Sequence, residues 1–150
     1  MEILFRKLTV DDLDEFIQLR INQLQEEGAA PAVDLKPYLH EYYLKHLKDG
    51  TFVSWLAADG QRIVATSGIS FIERPPYYSN PSGKIGILSS MYTLKEYRRK
   101  GIARKLLDMV IKEARDYGCG AVQITASDMG VLLYSSYGFK KHHNFMQYKL

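Results

Sequence analysis

Between Glu96 and Leu107 the chain reads EYRRKGIARKLL, which sets Arg98, Arg99, Lys100 and Arg104 around one glycine, Gly101, at the start of an apolar-periodic segment. The first N–H groups of a helix have no intrahelical acceptor and point outward together, and the helix dipole adds partial positive charge there. Cations at that end are each misplaced by a few tenths to about 1 kcal/mol unless an anion joins them. A pyrophosphate suits such a place. Gly101 lets it approach the backbone, with Ala103 the next smallest side chain two residues on. Arg98, Arg99, Lys100 and Arg104 can add charge-assisted contacts. The spacing favours a phosphate-bearing ligand over a solvated basic helix start. It fits neither G-x-x-x-x-G-K-[ST] nor G-x-G-x-x-G, which disfavours the common P-loop and dinucleotide-fold readings.

Other reactive residue types are sparse. Cys119 is the only cysteine, so no internal disulfide or four-cysteine zinc site can form, and its glycine-flanked apolar context reads as an inert thiol. His40, His46, His142 and His143 do not make a ligand set; the last two are adjacent and point apart in an extended chain. No metal is expected. The formal charge of +3 permits anionic ligands without marking a dedicated nucleic-acid binder. No run approaches the ~18 apolar residues that span a bilayer, and MEILFRKLTVDD lacks the order of a signal peptide. The reading is therefore a cytoplasmic protein that engages neither nucleic acid nor membrane.

The elements that must carry the basic turn follow from pattern. A length of 150 residues suits one domain, 1–150, with one core. Ile3 to Leu8 alternates as a strand. Thr9 begins a helix with Leu13, Phe16, Ile17, Ile21 and Leu24 on one face, ended by Gly28. A second helix is predicted from about Pro37 to Lys48. TFVSWLAA is a strand, Asp59-Gly60 a hairpin turn, and RIVATSGISFI the partner strand. After the loop ERPPYYSNPSG, KIGILSSMYTL is a third long strand. Gly101 to Tyr117 is a helix, AVQITA a central strand, Met129 to Tyr137 a short helix, and NFMQYKL a final strand. The order gives a mixed α/β fold, an antiparallel meander followed by a β-α-β crossover.

RRKGIA, Arg98 to Ala103, matches the R/Q-x-x-G-x-G/A signature and resembles the GCN5-related N-acetyltransferase (GNAT) superfamily. SSMYTLKEYRRKGIARKLL is similar to its central strand, turn and cofactor helix. LLYSSYGF, Leu132 to Phe139, looks like its L-Y-x-x-x-G-F motif, and FRKLTVDDLDEFIQLR like its first strand and helix. The resemblance implies a mixed, mostly antiparallel central sheet with a splayed parallel strand pair and about four flanking helices. It implies acetyl-CoA as co-substrate. The backbone at Met91, Tyr92 and Thr93 would pair with the pantetheine arm. The turn from Arg98 through Arg99, Lys100, Gly101, Ile102 and Ala103 to Arg104 would hold the pyrophosphate. A bulge in the central strand would free an N–H to stabilise the oxyanion.

The same resemblance implies Tyr134 as general acid to the leaving thiolate, since a phenol stays protonated at neutral pH. Ser127 stands where the family often has Asn; its hydroxyl, or Asp128, would contact the pantetheine. Gly130 stands where Ala is common. The strand from Lys84 to Leu94 has no carboxylate, so the general base is sought at Glu73, with Asp128 as the other choice. Selectivity would lie in Arg20 to Leu47 and Glu73 to Gly83: Glu26, Glu27 and Asp34 could attract a cation, Arg20 a carboxylate, and Tyr38, Tyr42, Tyr77 and Tyr78 could wall a cleft. The expected activity is acetyl transfer from acetyl-CoA to a primary amine of a small molecule or peptide by direct attack on the thioester. The alternative is a non-catalytic acyl-CoA-binding regulatory module on the same fold. A homodimer is expected by analogy with the superfamily alone.

Overall fold

A computed structural model of the chain describes residues 2–126, 128–142 and 145–150. The first strand, β1 (Ile3–Lys7), leads through a short 3₁₀ turn at Val10–Asp12 into α1 (Leu13–Glu26). The turn is fixed by Asp12, whose carboxylate accepts from the Thr9 N–H at 2.9 Å and pairs with both Arg6 guanidinium nitrogens at 2.8 Å. Helix α2 (Lys36–Asp49) takes Pro37 in its first turn and ends at Gly50.

The three long strands expected next are each broken in two. They become β2 (Phe52–Val53) and β3 (Trp55–Asp59), then β4 (Arg62–Thr66) and β5 (Ile69–Glu73), then β6 (Lys84–Leu88) and β7 (Tyr92–Thr93). The halves belong to two four-stranded sheets, β1-β3-β4-β7 and β2-β5-β6-β8, with β8 at Ala121–Gln123. The breaks fall at Ser54, at Ser67–Gly68 and at Ser89–Met91. Small polar residues are needed there because side chains replace ladder bonds. Ser54 Oγ donates to the Ser67 carbonyl. Ser67 Oγ donates to the Trp55 carbonyl at 2.7 Å and accepts the Trp55 N–H at 3.0 Å. Thr66 Oγ1 donates to the Ser90 carbonyl at 2.6 Å.

All pairings are antiparallel except β6 with β8, which run parallel from Ile85↔Ala121 to Ile87↔Gln123. Alternation along the strands sorts the core into two faces. Leu56 and Ile63 pack with Phe16, Ile17 and Tyr43 beneath α1 and α2. Ala57, Val64 and Ala65 meet Ile102 and Leu106 on the other side. Those two belong to α3 (Ile102–Tyr117), whose buried Ile102, Leu106, Val110 and Ala114 follow the i+4 spacing. Helix α4 (Asp128–Tyr137) closes this layer.

Two expectations at the C-terminal end need correction. AVQITA forms only the three-residue β8, and it lies at a sheet edge, not in the centre. The alternating tail does not form a strand over 145–150; Phe145, Met146, Tyr148 and Leu150 are exposed. The alternation is present, but a strand also needs an edge to pair with, and these residues meet none among the described residues. Asn144 and His143 lie outside the described residues.

Candidate active site

The middle of the third long strand leaves the ladder. Ser90 takes φ 56°, a left-handed conformation unusual for a residue with a Cβ. On either side the pairing is regular: the Ser89 N–H donates to Gly68 O at 2.9 Å and the Leu94 N–H to Val64 O at 2.9 Å. Between them, the Ser90 and Met91 N–H groups donate to no backbone carbonyl among the described residues. The Met91 carbonyl accepts from Gln23 Nε2 at 3.3 Å, and the Thr93 carbonyl from Arg98 Nε at 2.8 Å. Strand β7 pairs only with β4, so its other edge is open. Strand β8 pairs with β6 and ends at Gln123, so β7 and β8 share no ladder, and the space between the two strands is the candidate groove.

One end of this groove is the basic turn. Arg98 is pinned there rather than free: besides the Thr93 carbonyl, it meets Glu26 at 3.2 Å and lies 5.8 Å from the Tyr92 ring centroid. Arg99 and Lys100 are exposed, with no carboxylate partner among the described residues. The backbone is left-handed at Arg99 (φ 61°) and again at Gly101 (φ 80°). Gly101 caps α3 without a side chain, and the Lys105 N–H donates to Gly101 O at 3.2 Å. The Ile102, Ala103 and Arg104 N–H groups are left facing outward, as at any helix start. A Cβ at Gly101 would have no neighbour within 4 Å among the described residues, so the turn is open at that point. Arg104 lies 5.3 Å from the Tyr137 ring centroid. An uncapped, positively polarised, sterically open turn fits a pyrophosphate.

On the opposite wall stands Tyr134 in α4. It is 6% exposed and packs with Leu88, Leu107 and Val110; Met91 borders the same cluster. Its ring meets Phe139 edge-on at 5.6 Å. Among the described residues its hydroxyl has no hydrogen-bond partner. Burial, and secondarily the Glu27 carboxylate, push that hydroxyl up to about 12. The charge of the exposed Glu27 carboxylate thus reaches the Tyr134 hydroxyl. It caps the C-terminal end of α1, its N–H bonded to Gln23 O.

Glu73 is not brought to this place. It ends β5 opposite Lys84, four register steps from the Ile69↔Leu88 pair, which is about 13 Å along the ladder. The following loop, 74–83, sits at that far end as well, folded on the buried Asn80, whose Nδ2 donates to Lys84 O at 3.0 Å. Tyr78 is fully exposed there and walls nothing. Ser127 lies outside the described residues; Asp128 is described only as the first backbone position of α4. No group of three or more metal-binding side chains occurs among the described residues. Glu27 was readable only as one of several acidic residues near the first helix, because nothing local ties it to Tyr134, 107 positions away in the chain.

The chain matches the model of the acetyltransferase (GNAT) family over residues 14–139. It is 29% identical over 119 residues to an uncharacterized N-acetyltransferase of Archaeoglobus fulgidus, covering 76% of this chain and 74% of the relative. Among solved structures it resembles an acetyltransferase from Clostridium acetobutylicum crystallised with acetyl-CoA (31% identity, TM-score 0.95, 99% of this chain and 96% of that one). It also resembles a GCN5-related N-acetyltransferase from Ralstonia eutropha JMP134 (25% identity, TM-score 0.91, 99% of each chain). Fold and likeness together define an acetyltransferase of the GNAT class. The chain belongs to the GNAT family and is an N-acetyltransferase.

Proposed function

We propose that the protein transfers the acetyl group of acetyl-CoA to a primary amine by direct attack, without an acyl-enzyme. The observation that carries this is the convergence of three features on one groove: unpaired N–H groups at the Ser90 bulge, the uncapped α3 N-terminus, and Tyr134 opposite. Acetyl-CoA would supply the activated thioester. The α3 turn from Arg99 to Arg104 would hold its pyrophosphate, and β7 at Met91, Tyr92 and Thr93 its pantetheine arm. Arg98 acts from behind, by fixing the Thr93 carbonyl and the α1 end. Support comes from the Clostridium acetobutylicum structure, which contains acetyl-CoA.

The residues divide the remaining chemistry between them. A freed N–H at Ser90 or Met91 polarises the carbonyl. Tyr134, protonated through the neutral range, gives its proton to the departing sulfur. For the proton that the incoming ammonium must lose, we assign Glu27 in place of the expected Glu73, on the support that its charge reaches Tyr134 while Glu73 ends β5 opposite Lys84. Cys119 is a bystander: burial pushes its thiol up, away from the thiolate a nucleophile needs.

The test is CoA release followed with a thiol reagent across polyamines, amino acids, aminoglycosides and peptides. Sustained release that requires an added amine is the expected result. Acetyl-CoA that raises the melting temperature with no release for any amine would favour the binding-only module. Acetyl-CoA that neither binds nor stabilises would overturn both.

A further inference from the structure

The structure describes three half-buried arginines. Arg6 is paired with Asp12 and Arg98 with Glu26. Arg20, on α1, has no carboxylate partner among the described residues. Its Nη1 donates to Gln23 Oε1 at 3.1 Å, and Gln23, itself buried, donates in turn to the Met91 carbonyl at 3.3 Å. Arg20 is thus two hydrogen bonds from the strand position where the acetyl group would be presented.

The neighbours of Arg20 are polar and under-used. The Tyr43 hydroxyl, brought in by α2, feels the Arg20 charge and faces Ser90. Ser90 Oγ is buried and completes no hydrogen bond. The Tyr43 hydroxyl is the group nearest to pairing with it, and because that pair does not close a hydrogen bond, the two hydroxyls are open to a third polar group. Arg20, Gln23 and Glu27 share one stripe of α1, spaced by three and four residues. Arg20 and Glu27 therefore stand about 10 Å apart along the axis, a cation and an anion on the face turned to the groove.

We propose that the acceptor is an amino-acid-type amine: its carboxylate is held by Arg20, with the Tyr43 hydroxyl beside it, and its ammonium is turned toward Glu27 and the bulge. This rests on the acetyl-transfer reading above. A planar guanidinium with free donors suits a planar carboxylate. A phosphate would ask for further cations, and the groups that meet Arg20 or its charge, Gln23 and Tyr43, are neutral.

The experiment compares α-, β-, γ- and ε-amino acids with their carboxamides and with plain alkylamines of equal length, in the CoA-release assay. A second arm places the same amine in peptides with a free or an amidated C-terminus, which separates a free amino acid from a chain end. The free acids of one chain length are expected to exceed their amides at least tenfold in kcat/KM. The R20M variant should erase that difference through KM, and R20K should restore part of it. In a separate readout without acetyl-CoA, the preferred acid should raise the melting temperature of the wild type but not of R20M, with circular dichroism showing R20M folded. Equal rates for acids and amides, or an acid preference that survives R20M, overturns the proposal while leaving acetyl transfer intact. No release from any amine, with acetyl-CoA bound, overturns both readings.

Discussion

The two walls of the groove are built on different physics. The α1–β7 wall is a polar web. Glu26 accepts from the Tyr92 hydroxyl at 2.6 Å and meets Arg98, Arg98 holds the Thr93 carbonyl, and Gln23 holds the Met91 carbonyl. The α4 wall has little of this. Tyr134 is held by packing against Phe139 and the apolar side of α3, while β8 contributes three paired residues. Hydrogen bonds fix backbone atoms in direction; apolar packing fixes a ring in place while leaving its polar tip unsatisfied. The first arrangement suits a strand that must present backbone groups. The second suits a hydroxyl that must be available to a substrate.

If that division is real, removing the hydroxyl of Tyr134 should harm chemistry and spare the fold. Tyr134→Phe keeps the ring in its cluster, so little change in melting temperature is expected. General acid catalysis contributes about 10²–10⁴-fold, and kcat should fall by roughly 100-fold, with KM for acetyl-CoA near its starting value. Steady-state kinetics decides: a kcat within threefold of wild type removes the acid role. Because the hydroxyl is pushed to about 12, the wild-type kcat profile should also show no alkaline loss from this group below about pH 11.

Gly101 lies where the two walls end at the α3 turn, and a single methyl separates two costs there. Gly101→Ala has open space around its Cβ but must adopt φ 80°, a strain of roughly 1–2 kcal/mol for a residue with a side chain. Stability should fall by that amount. If phosphates approach the turn, the dissociation constant for CoA should rise by about tenfold as well, read by calorimetry. Lost stability with unchanged CoA affinity would put the phosphates elsewhere.

How much of this the sequence disclosed depends on which wall is considered. The α3 turn was legible because glycine, cations and helical period coincide within twelve residues, and Tyr134 because its motif is local. The helix ends at Gly28, Gly50 and Gly118 were legible for the same reason: each takes a positive φ that glycine supplies. The strand breaks were not. Ser54 and Ser67 read as ordinary strand residues, and only their hydrogen bonds across the seam mark the breaks; the bulge in the strand of Ser90 was expected from the family resemblance alone. Arg98 read as a phosphate ligand because its partner, Glu26, lies 72 positions away in the chain. Glu27 escaped for the same cause, whereas Glu73 looked near the site in sequence and is set apart by the length of a ladder.

The polar web is tested most finely by Glu26→Gln, where a small effect with a definite pH signature is expected. The Tyr92 hydroxyl is pushed up to about 12, first by burial and then by the Glu26 carboxylate, against the pull of Arg98. Its protonated form is therefore the one that the fold stabilises. That stabilisation is fully present below the unfolded value near 10 and is lost as pH rises toward 12. Glu26 is about half exposed, so solvent screens the interaction, and the net contribution is about 0.5–1 kcal/mol. In the variant, ultraviolet titration should show one tyrosine ionising closer to the ordinary value. Denaturant midpoints should converge with wild type as pH rises through about 12, where the wild type loses the same interaction. The activity should change less than twofold, since Arg98 keeps the Thr93 carbonyl. A Tyr92 that still ionises late in the variant would mean that burial alone sets it, and the wall would then be held by packing, as its opposite is.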